Sequence, residues 1–139
     1  MSNQFSFKID EKVSLSKNTF EGGEIYSNGI NVPFYCVNCK NKIESLLELE
    51  KGTWSDNLLR NFPFLDRNEI LKKGIAANNS KMFKHLGEFS IFPNLPVYYY
   101  IFDCIECSIK YMIVYAYGES QPGRDLAYIS GVWKLNESI

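Results

Sequence analysis

The sequence predicts an α+β fold: a curved antiparallel sheet with a central helical insertion, stapled where two cysteine pairs converge. Three observations carry that expectation. Aromatic and β-branched runs occupy the two ends of the chain, and a helically spaced apolar pattern fills 42–86 between them. All four cysteines fall in two Cys-x-x-Cys pairs, Cys36/Cys39 and Cys104/Cys107, one on each side of that insertion. At 139 residues, 45% hydrophobic and 15% aromatic, the chain is expected to be a single domain (1–139) with material for a sizeable core.

Taken in order, Phe5-Ser6-Phe7-Lys8-Ile9 alternates apolar and polar residues, the period of a half-buried strand. The polar stretch from Asp10 to the Gly22-Gly23 pair reads as a loop or irregular edge. Ile25-Tyr26 and Val32-Pro33-Phe34-Tyr35 flank Ser27-Asn28-Gly29, and Asn-Gly signals a tight hairpin whose second arm enters the first cysteine pair. From Lys42 the pattern turns helical: Ile43, Leu46, Leu47 and Leu49 lie near one helix face, and Gly52 would end that helix. Ser55 could cap a short helix carrying Leu58 and Leu59, while Asp66 and Glu69 form a capping-box pattern ahead of Ile70, Leu71 and Ile75. A further short helix is expected over Met82–Leu86.

After Pro93 and Pro96 the chain returns to β. Val97–Phe102 is rich in tyrosine and β-branched residues and runs into the second cysteine pair. In the strand that follows, Lys110, Met112, Val114 and Ala116 share one face, and Tyr111, Ile113, Tyr115 and Tyr117 the other. A loop at 118–124 contains the turn dipeptide Pro122-Gly123, and a last strand over Leu126–Leu135 carries Gly131 as a bulge.

Charge narrows the function. With 15 basic and 16 acidic residues the formal net charge is −1, without the cationic surplus that nucleic-acid binding draws on. No apolar run approaches the roughly 20 residues that span a bilayer, and Met1–Lys8 lacks the charged and apolar regions of a secretory signal. Paired cysteines without an export signal belong in a reducing compartment, so the expected location is cytoplasmic, with thiols that bind metal.

A Cys-x-x-Cys turn aims two thiolates at one point, and two such turns complete a tetrahedral Zn²⁺ site. The expected ligands are Cys36, Cys39, Cys104 and Cys107. Four cysteines leave no open coordination position, so the zinc would be structural rather than catalytic. The other candidates for chemistry are sparse. His85 is the only histidine, which leaves no imidazole pair. Glu44, Glu48 and Glu50 read as a solvated helix face, and Gly22-Gly23 lacks the Lys-Ser/Thr of a phosphate loop. Tyr98-Tyr99-Tyr100 could stack bases, but strand alternation sends at least one of its faces into the core. The segment 118–125 gathers Glu119, Gln121, Arg124 and Asp125 beside Tyr117. It reads either as a solvated hairpin turn in which Arg124 bridges to Glu119 or Asp125, or as a contact loop for another protein, with Arg124 available to pair a carboxylate. No catalytic constellation emerges, and the chain is expected not to be an enzyme.

The two pairs at the ends of strand-like arms, over 33–40 and 100–110, resemble a zinc ribbon whose central loop has been enlarged by the insert at 42–86. The short, near-neutral, aromatic-rich format, with these pairs and the Gly-Glu-Ser-Gln-Pro-Gly-Arg segment at 118–124, is similar to immunity proteins of bacterial toxin–immunity pairs. That resemblance implies a cytoplasmic inhibitor that binds and neutralises a cognate toxin. The zinc-ribbon resemblance implies an alternative, a nucleic-acid or transcription-associated module, which a shared face for Lys40, Lys42, Lys72, Lys73, Lys81 and Lys84 would favour.

Overall fold

The computed structural model describes residues 7–15, 17–25, 29–44, 46–54, 67–79, 81, 87–91 and 95–137. Its frame is one antiparallel sheet. Strand β1 (Phe7–Val13) leads to β2 (Thr19–Glu21), and the short strands β3 (Gly29–Asn31), β4 (Phe34–Tyr35), β5 (Lys42–Ile43), β6 (Leu46–Glu48) and β7 (Thr53–Trp54) follow. Helix α1 (Arg67–Lys72), β8 (Ala77–Asn78) and β9 (Phe89–Ser90) precede the long strands β10 (Val97–Asp103), β11 (Lys110–Gln121) and β12 (Arg124–Glu137). The sheet order is β1-β12-β11-β10-β7, with β2 also on β12. Three two-stranded pairs, β3 with β6, β4 with β5 and β8 with β9, complete the described sheets.

Both faces of this sheet are buried, and strand periodicity distributes the side chains between them. Met112, Val114 and Ala116 of β11 join a core with Val97, Tyr99, Ile70, Ile75 and Phe89. Tyr111, Ile113 and Tyr115 point the other way, into a core with Phe34, Leu47, Leu49, Cys36 and Cys104. This is the division of β11 read from the sequence. Tyr99 likewise faces away from Tyr98 and Tyr100.

The expected bulge at Gly131 is present and explains the pattern of β12. Val114 pairs with Gly131 and Tyr115 with Ile129, so Ser130 is an extra residue. One inserted residue inverts the alternation. Ala127 and Ile129 share their core with Val132, whereas Trp133 and Leu135 enter the opposite one. Strand β1 shifts register between Ile9 and Lys12 in the same way, sending Ile9 and Val13 to different cores. At Gly131 a Cβ would lie 2.7 Å from the Trp133 ring and 2.8 Å from Lys12 Cε, which leaves room only for glycine.

The central helical insertion is not what the chain builds. Among the described residues of 42–86 the only α-helix is α1; Lys42–Ile43, Leu46–Glu48, Thr53–Trp54 and Ala77–Asn78 are strands, and Leu49–Lys51 is one 3-10 turn. The fold is therefore mostly antiparallel β rather than α+β. The apolar residues explain the misreading. Leu47 and Leu49 are buried on either side of exposed Glu48, a period of two that four closely spaced apolar residues disguised as a helix face. The backbone is also committed elsewhere. The Tyr100 hydroxyl donates to the Glu48 carbonyl and that of Tyr115 to the Leu49 carbonyl, each across 2.7 Å, so distant tyrosines use groups that a helix would use internally.

Of the two readings of the stretch from Asp10, the edge holds: it is strand through Val13, and Thr19–Glu21 pairs with Tyr128–Leu126. Two further expectations change. The segments flanking Asn28-Gly29 do not pair with each other among the described residues: β3 takes β6 and β4 takes β5. The 118–124 loop is hairpin, since β11 runs through Gln121 and only Pro122-Gly123 turns, with Gly123 at φ 76°. Helix α1 realises the pattern of Ile70, which is buried, and Leu71, while its Asp66 cap lies outside the described residues. So do Phe5, Ser6, Tyr26–Asn28, Ser55, Leu58, Leu59, Met82–Leu86 (with Lys84 and His85) and Pro93.

Candidate metal centre

Each cysteine pair is the turn of a β-hairpin, and the two turns are built alike. Tyr35 pairs with Lys42 across the first and Asp103 with Lys110 across the second, leaving six residues between in each case. Cys36 N–H donates to the Asn41 carbonyl (2.9 Å) and Lys40 N–H to the Cys36 carbonyl (3.0 Å). In the second turn Cys104 N–H donates to Ile109 and Ser108 N–H to Cys104, both across 2.8 Å. Lys40 and Ser108, each directly after its second cysteine, have φ of 66° and 65°. A left-handed residue at that point bends the chain back onto its strand, so the same local strain recurs in both knuckles.

The four expected ligands meet. Their Sγ atoms all lie within 4.8 Å of one another, and all four cysteines are free thiols. Cys36 Sγ is 3.6 Å from Cys107 Sγ, and Cys39 Sγ is 3.7 Å from Cys104 Sγ. A tetrahedral ion with bonds of about 2.3 Å spaces its sulfurs by about 3.8 Å, so the donor set fits such an ion and could hold one. Cys36 and Cys104 are buried, while Cys39 and Cys107 are half-buried.

Hydrogen bonds prepare the sulfurs for a cation. Burial pushes the Cys36 thiol up, but hydrogen bonds from Tyr111 and from the N–H groups of Cys39 and Asn38 outweigh it and bring the group down to about 6. Cys107 is lowered by the Asn38 side chain and by Ile109 N–H. Cys39 moves the other way, to about 11. Its hydrogen bond with Asn41 lowers it, but burial and the crowding of the other three sulfurs raise it further. Four sulfurs at this spacing cannot all ionise without a positive charge among them, which is what a metal ion supplies.

Tyr111 is the residue that sequence reasoning missed. Fully buried on β11, its hydroxyl donates to Cys36 Sγ (3.1 Å) and accepts from Val37 N–H (2.9 Å). Burial and the bond to Cys36 hold that phenol above its ordinary range. Its ring packs against Phe34 (centroids 5.2 Å apart) and Phe102 (6.1 Å), which contact each other at 6.0 Å. These three aromatics floor the cysteine cluster. The signal was present in the sequence: Tyr111 lies four residues beyond Cys107, on the strand face that also carries Ile113 and Tyr115.

The five expected contact residues fall on the β11–β12 hairpin. Tyr117 is half-buried against the second core. The exposed Glu119 carboxylate accepts from Gly123 N–H at 3.1 Å, and Arg124 Nε lies 3.9 Å from Glu21. Asp125 is half-buried, and the Gln121 side chain lies outside what is described. The hairpin thus places Tyr117, Glu119, Arg124 and Asp125 on one β-ribbon, at the end of β11 away from the second cysteine turn. At the metal centre the notable exposures are instead Tyr35 (62%) and Ile105 (94%), the exposed large hydrophobics among the described residues, one on each knuckle.

No family model, curated protein or solved structure matches the chain, so no relative supports the link to immunity proteins. Among the described residues no helix is long and apolar enough to cross a membrane.

Proposed function

We propose that this chain is a non-enzymatic, cytoplasmic protein-binding protein stapled by one structural Zn²⁺ on Cys36, Cys39, Cys104 and Cys107. The convergence of the four sulfurs within 4.8 Å carries the reading. Zinc is the choice because four thiolates in tetrahedral array suit it and because its filled d shell needs no redox partner. With its coordination closed by protein, the ion ties the β4–β5 hairpin to the β10–β11 hairpin and offers no site to a substrate.

Protein binding is supported by the exposed Tyr35 and Ile105 and by the polar hairpin tip with Glu119 and Arg124 beside Tyr117. The specific form we propose is the immunity type, stoichiometric occlusion of a toxin. The described placements of Lys40, Lys42, Lys72 and Lys73 lend the nucleic-acid alternative no support. Lys40 and Lys42 belong to the hairpin packed on one core, whereas Lys72 and Lys73 sit at the end of α1, whose Ile70 packs in the other.

The test is co-expression with the product of the adjacent gene. Restored growth together with a 1:1 complex supports the immunity form. Absence of both, or catalytic turnover by the purified chain, overturns it.

A further inference from the structure

From the pairing of the sulfurs across the two knuckles we infer that this centre is also a site of reversible oxidative modification, in which hydrogen peroxide exchanges the metal for two cross-knuckle disulfides, Cys36–Cys107 and Cys39–Cys104. The inference rests on the zinc reading above and extends it.

Two contacts favour these partners among four sulfurs that all lie within 4.8 Å of one another. The 3.6 Å and 3.7 Å contacts each join one knuckle to the other, and each joins a buried sulfur to a half-buried one. The half-buried Cys107 and Cys39 are the sulfurs an oxidant can reach, and the buried Cys36 and Cys104 stand beside them as resolving thiolates. Inside each knuckle, by contrast, the bond from residue 40 or 108 back to the first cysteine carbonyl fixes the turn.

The step balances. The Cys107 thiolate attacks one peroxide oxygen, giving a sulfenic acid and releasing hydroxide. The Cys36 thiolate then attacks that sulfur, and a second hydroxide leaves as the S–S bond forms. Two sulfurs together lose two electrons and one peroxide gains them. A second peroxide closes Cys39–Cys104 in the same way and leaves the ion without thiolate ligands. Because both new bonds join the same two hairpins that the metal joined, the oxidised chain keeps its staple. Disulfides within each knuckle would leave the hairpins untied.

The experiment is a hydrogen peroxide titration of the zinc-loaded full-length chain. Zinc release is followed with a chromophoric chelator, free thiols are then blocked, and non-reduced peptides are mapped by mass spectrometry. We expect two peroxides consumed per zinc released, the linkages 36–107 and 39–104, retained near-ultraviolet circular dichroism, and recovery of zinc binding after dithiothreitol. Linkages 36–39 and 104–107, sulfinic acids in place of disulfides, or loss of tertiary signal on oxidation would each overturn the inference. If the chain as purified carries no metal, the zinc reading fails separately, and the peptide map of the oxidised metal-free chain still decides the pairing.

Discussion

The Tyr111 hydroxyl reaches Cys36 Sγ across 3.1 Å while accepting the Val37 N–H at 2.9 Å, so one buried phenol orients both a candidate ligand atom and the turn that presents it. Groups of this kind, one bond removed from a metal, often hold ligand geometry as firmly as the ligands do. The bond also explains why a tyrosine, rather than phenylalanine, stands in an otherwise aromatic floor with Phe34 and Phe102.

Tyr111→Phe keeps the ring but leaves the Val37 N–H without its acceptor and takes from Cys36 one donor, with the Cys39 and Asn38 N–H groups remaining. Zinc affinity should fall by about 10- to 100-fold, and stability by about 1–3 kcal/mol. Competition against a chromophoric chelator measures the first and chemical denaturation the second. Wild-type affinity in the variant would show that the phenol merely fills space.

One zinc per chain is expected by elemental analysis of protein purified without chelators. Cys104→Ser removes one ligand from a tether between segments 64 residues apart, 40–103. A loss of about 3 kcal/mol would lower Tm by roughly 10 °C in a domain of this size. An unchanged Tm would leave the centre without energetic weight.

The cysteine cluster was legible because four cysteines with two equal spacings permit few arrangements, and Cα alternation alone divided β11 between two cores. The region 42–54 was misread because Ile43, Leu46, Leu47 and Leu49 satisfy a helical template as well as a strand one. What decides between them is remote: Tyr100 and Tyr115 bond to the carbonyls of Glu48 and Leu49, and β3 and β4 supply strand partners. Single-segment periodicity contains none of that information. The left-handed Lys40 and Ser108 were equally hidden, since neither residue type advertises a positive φ.

Gly52→Ala tests that long-range commitment. A Cβ at Gly52 would meet the Tyr115 hydroxyl well inside contact distance and Tyr98 Cβ at 3.1 Å. Tyr115 is fully buried and bonded to Leu49, so it has little freedom to withdraw. The expected cost is about 1–3 kcal/mol by denaturation, with metal content unchanged. Gly23→Ala, where a Cβ meets nothing within 4 Å, serves as the control.

Two surfaces compete for the partner, and three substitutions separate them. Arg124 is an exposed side chain with its Nε 3.9 Å from Glu21, so Arg124→Ala should change stability by only about 0.5 kcal/mol. Ile105 is 94% exposed, so Ile105→Asp should be equally mild. Tyr117→Ala, at a half-buried site, needs its fold checked by circular dichroism first. If the β11–β12 hairpin is the contact surface, Arg124→Ala and Tyr117→Ala should each weaken partner binding about tenfold or more, the scale of an interface hot spot, and Ile105→Asp should leave it intact. The reverse result would move the interface to the metal knuckles. Titration calorimetry with the purified partner reads all three, and unchanged affinity in every variant would remove both surfaces from the proposal.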